Sequence, residues 1–333
     1  MTLLLAIDGG GTGTRCIAVD PGGRTRGDGR AGPSNHLHVP LVTATEALRM
    51  ATSEALSKAG ATIQDVALVS AGLAGVDFDG TGADTAAGML RSIGFGRVVV
   101  HGDMVIAHRG ALAGDPGVVA LAGTGSAVLG ITRGGATIKA GGWGPLYDDQ
   151  GSAYQLGRLG LVAAAEAFDG SGPATALVER LTAALGASNL PDTVARLYGT
   201  ASGQQRVAAL APVVTACADE GDDVAAAICG RAGAALARAV LAVIRRLHAL
   251  EAREGRAAGG AREAPACLAS YQGAVLERSG LVRAAFLETV RAGEPQVEVR
   301  PPRFAPIVGA VLLGMCDAKW DLRLESLETA SGV

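Results

Sequence analysis

Two short turns in this chain combine glycines with hydroxyl side chains, the residue types that bind phosphate. The first turn reads DGGGTGT at 8–14, and the second reads AGTGS at 122–126. A phosphate needs several converging backbone N–H donors. Glycine gives the backbone access to positive φ and to close approach, and a Thr or Ser hydroxyl adds a further donor. The candidate phosphate-binding residues are therefore Gly10, Gly11, Thr12, Gly123, Thr124, Gly125 and Ser126.

Both turns have the same local setting. Apolar, strand-like runs flank them within Ile7–Val19 and again within Val119–Ile131, which predicts two hairpins with weak internal similarity. No Gly-Lys-Ser/Thr follows either turn and neither opens a helix, so neither is a P-loop or a dinucleotide-binding turn. An ordinary glycine-rich hairpin turn is the alternative for each one alone, but the matching pair favours two phosphate loops.

Two aspartates are candidates for the chemistry around such a phosphate. Asp8 is a candidate ligand for Mg²⁺, directly or through water, because hard cations prefer carboxylate oxygen. Asp103 follows the strand-like run Val98–Val100 and opens a helix, where a carboxylate suits a general base that takes a proton from an alcohol. Aspartate is also a favoured helix N-cap, so capping is the alternative for Asp103, and the two roles are compatible.

The elements that position these residues alternate between strand and helix, which predicts an α/β fold. Between the first turn and Asp115, the spacing predicts strands at Val66–Val69 and Val98–Val100. It predicts helices at Leu41–Ala59, Thr85–Ile93 and about Met104–Leu112. Beyond the second turn, the chain from Ala153 to about Leu250 reads as mostly helical and alanine-rich. The stretch Glu251–Pro265 is predicted to be an exposed loop, and Pro306–Cys316 a final apolar helix.

Composition excludes several classes of protein. Of 333 residues, 29 are Lys or Arg and 32 are Asp or Glu, so a net charge of −3 predicts neither nucleic-acid binding nor a basic membrane face. The 49% hydrophobic share is enough for sizeable cores, and 49 glycines are about twice the usual proportion. Five scattered cysteines favour a reducing, cytoplasmic location. No apolar run is expected to be long enough to span a membrane.

The order of these motifs resembles the sugar kinase/Hsp70/actin ATPase superfamily. More specifically, GGWGPLYDDQGSAY at 141–154 resembles the N-acetylglucosamine kinase family, in the BadF/BadG-type ATPase branch, and 32–36 and 71–75 are similar to its sugar-side segments. The resemblance implies two ribonuclease-H-like domains (the actin-like ATPase fold) with a cleft between them. Residues 1–113 would carry the first phosphate loop and sugar contacts. Residues 114–333 would carry the second loop and the adenosine site.

The resemblance also implies an activity: ATP- and Mg²⁺-dependent phosphorylation of an amino sugar, chiefly N-acetylglucosamine on its 6-hydroxyl, with Asp103 as general base. It places adenosine beside Gly273 and Ala274, with the stretch from Pro306 to Gly309 completing the purine wall. Independently of the resemblance, the alanine-rich helical second half would suit a homodimer, although the sequence leaves the oligomeric state open. The residues that it assigns to the sugar are Asn35, Gly75, Asp103, Gly142, Trp143, Asp149 and Ala153.

Each sugar-side residue also has an ordinary structural interpretation. Asn35 could be a turn residue, Trp143 could anchor a loop, and Asp148 and Asp149 could lie at a solvated helix N-terminus. Gln150 stands where the family commonly has a carboxylate, which leaves glucosamine open as the substrate. An ammonium at C2 would favour a carboxylate such as Asp148, whereas an acetyl group would favour an apolar wall such as Trp143. A muramic-acid-type amino sugar is a further alternative.

Two other functions exist on the same predicted fold. One is a nucleotide-switched activator ATPase, which carries an iron–sulfur cluster and a cysteine just before the second Gly-Thr-Gly loop. Here Ala122 takes that position and no cysteine lies between Cys16 and Cys217, which argues against a cluster. The other is a sugar sensor, whose usual DNA-binding helix-turn-helix has no counterpart ahead of the first phosphate loop.

Overall fold

A computed structural model describes residues 2–77, 79–198, 203–257, 267–320 and 327. The contacts among them divide the chain into two units. Unit 1 combines Met1–Pro116 with Pro301–Val333, and unit 2 is Gly117–Arg300. The predicted division at residue 113 therefore lies close to the first crossover between units. The predicted C-terminal domain differs from unit 2 at its other end, because the chain after Arg300 packs with the N-terminal segment and belongs to unit 1.

Unit 1 contains a five-stranded mixed sheet with the strand order β3-β2-β1-β4-β5. Strands β1, β2 and β3 form an antiparallel meander, and β4 and β5 continue the sheet in parallel with β1. The elements of this unit are β1 (Leu3–Gly9), β2 (Thr14–Val19), β3 (Thr25–Ala31), α1 (Leu41–Ala59), a 3₁₀ turn (Ile63–Asp65), β4 (Val66–Leu73), α2 (Ala83–Ile93), β5 (Val98–Gly102), α3 (Asp103–Ala111) and, after unit 2, α12 (Pro306–Ala318).

Helix α1 confirms the sequence prediction at both ends and packs on a strand that the sequence did not reveal. Gly60 ends the helix in the left-handed conformation, as a C-terminal glycine commonly does. Its partner β3 contains no run of apolar residues, because its buried positions are glycines and most of its other residues are polar, so a search for apolar runs does not find it. Gly27 and Gly29 face the helix, and a Cβ on either would fall on the carbonyl of Ala55 or Ala51.

Helix α12 covers the other face of the unit 1 sheet. Its apolar residues pack with Leu4, Ile17, Leu68 and Ile106 in one buried cluster. A Cβ on Gly309 would overlap the backbone of α3, so this glycine lets the two helices approach closely. The stretch from Pro306 to Gly309 was predicted to close an adenosine site in the second domain; the structure instead places it in unit 1, with a packing role.

Unit 2 repeats the sheet topology of unit 1. Its order is β10-β9-β6-β7-β8, with an antiparallel β6-β7-β8 meander and β9 and β10 parallel to β6. The weak internal similarity of the two glycine turns thus reflects one topology used twice. Its elements are β6 (Gly117–Ala122), β7 (Ser126–Ile131), β8 (Thr137–Gly141), α4 (Ala153–Phe168), α5 (Leu177–Ala184), α6 (Asp192–Tyr198), α7 (Gly203–Ala208), α8 (Ala211–Asp219), α9 (Asp223–Ala257), β9 (Leu268–Gln272), α10 (Ala274–Arg278), α11 (Gly280–Gly293) and β10 (Glu298–Val299).

Helix α9 is the central helix of unit 2 and corrects two expectations. It continues to Ala257, so the first half of the predicted Glu251–Pro265 loop is helical, while 258–266 lie outside the described residues. Within Asp223–Arg253, an 18-residue window with a mean hydropathy of 1.7 makes the helix long and apolar enough to cross a membrane, contrary to the expectation that no such stretch exists. About half of that apolar window (56%) is buried inside the protein, and a buried core helix meets the same criteria.

Candidate functional site

The first glycine–hydroxyl turn is the connection between β1 and β2. The Gly10 N–H donates to the Gly13 carbonyl (2.9 Å), which closes the turn. The loop carbonyls face the protein, because Gly10 O accepts from Ser34 N (3.1 Å) and Gly9 O accepts from Ala74 N (2.8 Å). Within the described ranges, the amide N–H groups of Thr12 and Gly13 have no acceptor. They are available to an anion.

Asp8 lies at the end of β1, one residue before this loop. Burial and, to a smaller extent, the nearby charge of Asp103 raise the pKa of its carboxyl to about 6, with Arg15 partly opposing the shift. A carboxylate in this setting lacks full compensation for its charge, and a divalent cation would supply it. No group of three or more His, Cys, Asp or Glu side chains in the described part of the chain could hold a metal ion by itself. Asp8 therefore fits Mg²⁺ only together with phosphate oxygens and water, which is how Mg²⁺ usually binds.

Asp103 is the first residue of α3, directly after β5. Gly102 occupies the N-cap position, so the alternative of an N-cap role for Asp103 does not describe this helix. Its Oδ1 accepts the Met104 N–H (2.8 Å), which fixes the side chain at the start of the helix. The carboxylate is half-buried and close enough to Asp8 to raise the pKa of that group. The structure thus brings the predicted metal ligand and the predicted base to the same edge of the unit 1 sheet.

Asn35 and Gly75, two of the residues predicted for the sugar, contact each other in unit 1. Asn35 is 7% exposed, and its Oδ1 accepts the Leu37 N–H (3.0 Å). Because an N–H must face an acceptor, this bond fixes the amide orientation, and Nδ2 becomes the group that can donate to a ligand. A Cβ on Gly75, where φ is +95°, would lie 2.8 Å from Asn35 Oδ1. Gly75 therefore allows the close approach that holds Asn35 in place.

The second glycine–hydroxyl turn joins β6 and β7 and lies against the first turn of α4. Gly123 N donates to Gly125 O (3.0 Å), while the carbonyls of Gly123 and Thr124 accept from Ala153 N (2.9 Å) and Tyr154 N (3.1 Å). Over the described residues, the N–H groups of Thr124 and Gly125 have no acceptor. This loop therefore offers two amide donors, as the first one does, and Ala153 supports it.

Asp149 lies behind the second loop. It is 5% exposed, has a left-handed backbone (φ +57°), and its Oδ1 accepts the Ser126 N–H (3.0 Å). Burial raises the pKa of its carboxyl, the Ser126 bond opposes the rise, and Asp148 adds to it. A Cβ on Gly125 would lie 2.8 Å from Asp149 Oδ1, so glycine is required there. The predicted sugar residue thus also fixes the phosphate loop.

Ser126 does not offer its hydroxyl to a phosphate, contrary to the sequence prediction. Its Oγ donates to the Gln150 carbonyl (2.8 Å), and its backbone N–H donates to Asp149. Both donors of this residue are therefore used to attach the loop to the segment ahead of α4. The hydroxyls of Thr12 and Thr124 remain as the candidate side-chain donors.

The Gly-Gly-Trp-Gly turn at 141–144 is held by Asp148. Asp148 Oδ2 accepts the Trp143 N–H (3.1 Å), and the Asp148 N–H donates to the Gly144 carbonyl (3.0 Å). Gly142 has a φ of +75° and lies against Ala127 and the Lys139 side chain. The Trp143 side chain is 69% exposed, so it does not act as a packing anchor. Its ring is available to a ligand.

Gly273, predicted to border adenosine, lies at the end of β9 beside the second loop. Its φ of +103° favours glycine, and a Cβ there would overlap the backbone of Ala122. Its N–H donates to Glu277 Oε1 (2.8 Å), and Ala274 begins α10. This turn is therefore more specialised than an ordinary strand-to-helix connection, and it lies at the same sheet edge as Gly123.

Positive φ is not the reason for the glycines in the two phosphate loops. The left-handed glycines include Gly75, Gly142 and Gly273, but none from 9–13 or 123–125. Close approach explains two of the glycines: a Cβ on Gly9 would fall on the Ser34 hydroxyl, and one on Gly125 would press on Asp149. A Cβ would have room at the other glycines of the two turns. The two predicted hairpins are confirmed, and phosphate binding at their turns stays a prediction.

A cavity of about 680 Å³ lies elsewhere in unit 2, along α4, α6 and α7. Its walls are mostly apolar, with Phe168, Leu197 and Val207 among them, and Arg158 and Asp169 are its charged residues. None of the residues predicted for the site lines it. The predicted site residues therefore lie outside this cavity.

Two residues that sequence reasoning missed connect the predicted ones. Ser34 is fully buried between the first phosphate loop and Asn35, and Thr14 contacts its hydroxyl (2.9 Å). Their hydroxyls follow the glycines of the first turn and precede Asn35 in the sequence, which is the signal that could have pointed to them. Lys139 beside Gly142 was also missed, because nothing in the local sequence distinguishes it.

The chain is similar to known sugar kinases. It is 28% identical over 327 residues to an N-acetyl-D-glucosamine kinase of Dictyostelium discoideum, covering 95% of this chain and 99% of that protein. It is also 28% identical over 245 residues to an N-acetylmuramic acid/N-acetylglucosamine kinase of Clostridium acetobutylicum, covering 73% and 80%. A structure of a candidate N-acetylglucosamine kinase from Chromobacterium violaceum matches with a TM-score of 0.71 at 24% identity, covering 94% of this chain and 99% of that one.

The structural match extends to both units and identifies the architecture. Two units of one topology, each with a glycine-rich hairpin, form the two-domain actin-like ATPase fold, as the resemblance in the sequence implied. Residues 5–314 match the model of the BadF/BadG/BcrA/BcrD ATPase family. Because this match spans nearly the whole sequence, the chain belongs to the BadF/BadG/BcrA/BcrD ATPase family.

Proposed function

We propose that this protein is an ATP-dependent amino sugar kinase that transfers the γ-phosphoryl group to the 6-hydroxyl of N-acetylglucosamine. The observation that carries the proposal is a pair of hairpin loops with unused amide donors, one of which ends beside the Asp8–Asp103 pair. Family membership supports the use of ATP. The names of the similar curated proteins support an amino sugar as the acceptor.

The loops would bind the phosphates by their backbones. Several of their carbonyls are held by hydrogen bonds inside each unit, which leaves the N–H groups of Thr12, Gly13, Thr124 and Gly125 without an acceptor among the described residues. Preorganised donors of this kind stabilise charge that spreads over phosphate oxygens in the transition state. The Thr12 and Thr124 hydroxyls would add donors to each loop.

Asp8 would hold Mg²⁺ together with phosphate oxygens. The ion supplies charge neutralisation at the transferred group when it is bound. Asp103 would accept the proton from the sugar hydroxyl, and its bond from the Met104 N–H keeps the carboxylate in a fixed position for that transfer. The roles of the two aspartates are distinct: one compensates charge on the donor side, and the other takes a proton on the acceptor side.

The sugar would be recognised by hydrogen bonds and by one flat ring. Asn35 would donate through Nδ2, because Oδ1 already accepts the Leu37 N–H. Gly142 and Trp143 would lie by the 2-substituent, Asp149 would accept through Oδ2, and Ala153 would complete the wall. Trp143 suits an apolar sugar face, since its ring is largely exposed.

The structure favours an acetylated amine over a free one. Asp148 was the candidate carboxylate for a C2 ammonium, and its Oδ2 accepts the Trp143 N–H, which ties this carboxylate to the Gly-Gly-Trp-Gly turn. Lys139 Nζ lies 3.4 Å from the position of a Cβ on Gly142, and its positive charge opposes a second cation there. Glucosamine is therefore the weaker candidate, and a muramic-acid-type sugar remains within the class to be tested.

A substrate panel tests the proposal. We expect sugar-stimulated ADP release, measured in a coupled assay, with kcat/KM for N-acetylglucosamine at least about tenfold above that for glucosamine, because like charge at the pocket costs several kcal/mol. Glucose, N-acetylmannosamine and N-acetylmuramic acid complete the panel. ATP hydrolysis that no sugar stimulates would contradict the kinase assignment and favour the activator ATPase. That alternative has little support from the sequence, since Ala122 takes the position of the cysteine that precedes the second Gly-Thr-Gly loop in the activators.

Trp143 provides a second test. We expect Trp143→Ala to raise KM for the sugar by about 5- to 10-fold through lost ring contact, while the unfolding midpoint stays the same because the side chain is largely exposed. Trp143 and Trp320 are the two tryptophans, so Trp320→Phe leaves Trp143 as the only reporter. Sugar should change the fluorescence of Trp320→Phe and leave that of Trp143→Phe unchanged. A response from Trp143→Phe would remove Trp143 from the sugar site.

The cellular setting that we propose is the cytoplasm, because free thiols persist in a reducing compartment. A homodimer is the assembly that we expect, and size-exclusion chromatography with light scattering measures it directly.

A further inference from the structure

We propose that Ser34 is a positioning residue that connects the first phosphate loop to the Asn35–Gly75 pair, so that nucleotide and sugar binding are coupled through unit 1. The inference rests on the proposed function, which assigns phosphate to 10–13 and sugar to Asn35. Sequence reasoning gave Ser34 no role.

Ser34 contacts both ends of the loop. Its backbone N–H donates to Gly10 O (3.1 Å), and its hydroxyl lies 2.9 Å from Thr14 Oγ1, in the first residue of β2. The side chain is fully buried, so water does not replace either bond. Ser34 therefore links the two ends of the loop, Gly10 and Thr14, through its backbone and its side chain.

The hydrogen bonds that join the Ser34 hydroxyl, the Thr14 hydroxyl and the Gly32 carbonyl can be assigned a donor and an acceptor at each step. Thr14 Oγ1 lies 2.8 Å from the Gly32 carbonyl, which can only accept. The Thr14 proton is therefore donated to Gly32, and the Ser34 proton is donated to Thr14. Removing either hydroxyl breaks the chain and leaves a buried polar atom without its partner, which is the costly way to lose a hydrogen bond.

The space for Ser34 is created by a glycine. A Cβ on Gly9 would fall on Ser34 Oγ and press on Leu73 Cδ2. Gly9 also accepts the Ala74 N–H through its carbonyl (2.8 Å), which attaches the turn that carries Gly75. The phosphate loop, the Ser34 segment and the turn at 73–75 thus form one closed set of contacts.

Asn35 is the next residue after Ser34, and its amide is held against Gly75. A shift of the loop on binding phosphate would therefore move the Asn35 backbone directly, without an intervening flexible segment. Conversely, a sugar that holds Asn35 would restrict the loop. Such mutual restriction is a coupling free energy, and it is reciprocal.

The test measures binding of Mg²⁺ with a non-hydrolysable ATP analogue, and of N-acetylglucosamine with and without that analogue, by calorimetry. We expect the wild type to bind sugar at least about fivefold more tightly in the presence of the analogue. Ser34→Ala should weaken analogue binding and reduce this factor toward one. Thr14→Val should do the same, Thr14→Ser should retain the coupling, and the Ser34→Ala/Thr14→Val pair should lose no more than either single variant.

Ser70→Ala is the matched control. Ser70 is a fully buried serine of the same unit, and its Oγ donates to the Ala310 carbonyl (2.7 Å) away from the loop. It should lower the unfolding midpoint by a similar amount and leave both the affinity and the coupling unchanged. Loss of coupling in Ser70→Ala as well would show that general destabilisation, and not Ser34, is responsible, and would overturn the proposal.

Failure of this proposal differs from failure of the proposed function. Unchanged analogue affinity in Ser34→Ala overturns the positioning role, whatever the sugar result. Unchanged coupling in a variant that binds both ligands also overturns it. If the wild type binds the analogue but none of the sugars, the kinase assignment fails, whereas the loop-positioning part is still decided by the analogue affinity of Ser34→Ala against Ser70→Ala.

Discussion

Asp103→Asn should lower kcat for sugar phosphorylation by about 10²- to 10⁴-fold, the usual contribution of general base catalysis, while sugar binding remains within about threefold of the wild type. The amide has the shape of the carboxylate and keeps an oxygen acceptor for the Met104 N–H, so α3 should begin as it does now. It cannot take a proton from the hydroxyl at neutral pH. The acid limb of the kcat/KM pH profile should disappear together with the activity.

Asp84→Asn is the matched control for this variant. Asp84 is also an acidic residue in the first turn of a helix of unit 1, but it is exposed and was assigned no role. Its substitution should leave kcat unchanged and cost a few tenths of a kcal/mol in helix stability (~0.3–1 kcal/mol). If Asp103→Asn retains more than about a tenth of the wild-type kcat, Asp103 is not the general base.

Asp8→Asn should abolish turnover and yet stabilise the metal-free protein. An amide is a poor ligand for Mg²⁺, and loss of metal charge stabilisation worth several kcal/mol corresponds to a fall in kcat of at least about 100-fold. In the folded protein, burial and the charge of Asp103 raise the Asp8 pKa from 3.8 to about 6. Above that pH the ionised carboxylate destabilises the fold by on the order of 2–3 kcal/mol, and the amide removes this cost.

The sign of the pH dependence follows from the raised pKa. The folded state holds the proton more tightly than the unfolded state, so the metal-free wild type loses stability as the pH rises through about 4 to 6. The advantage of Asp8→Asn should therefore be absent near pH 4 and complete above about pH 6. Thermal unfolding in a chelator, at both pH values, measures it. An equal advantage at both would contradict the buried-carboxylate explanation.

Asp65→Asn provides the opposite case. Its backbone bond from Thr62 lowers the pKa of the Asp65 carboxyl to about 2, so ionised Asp65 is stabilising. The stabilisation is present at neutral pH and is lost as the pH falls toward that value. Asp65→Asn should accordingly lower the unfolding midpoint at neutral pH and leave kcat unchanged. The two variants should therefore change the unfolding midpoint at neutral pH in opposite directions. Burial raises the pKa of Asp8, so its substitution stabilises the protein, whereas hydrogen bonding lowers the pKa of Asp65, so its substitution destabilises the protein.

Local signals were sufficient for much of the fold. Helix α1 was predicted at both ends because its apolar spacing stops at Gly60, and both hairpins were predicted because apolar runs flank the glycine turns. Strand β3 was missed because its inward positions are Gly27 and Gly29, which carry no apolar signal. Its pairing with β2 and its packing on α1 make it a strand, and neither is a property of the segment alone.

The site was predicted as residue types but not as contacts. Family resemblance named Asn35, Gly75 and Asp149, and the structure brings the first two together and places the third behind the second loop. No spacing rule predicts that Ser126 would donate its hydroxyl to Gln150, since that bond joins residues 24 positions apart. The role of Ser34 is likewise visible only once Gly9 and Thr14 are placed around it.

Unit 2 lies between two parts of the sequence that form unit 1, which has a consequence for biosynthesis. A ribosome completes unit 2 before it synthesises α12, so the face of the unit 1 sheet that carries Leu4, Ile17 and Leu68 lacks its cover throughout that time. Unit 2 can begin to fold during translation, whereas unit 1 must wait for α12. A nascent chain stalled after residue 300 should therefore engage chaperones through this uncovered sheet face.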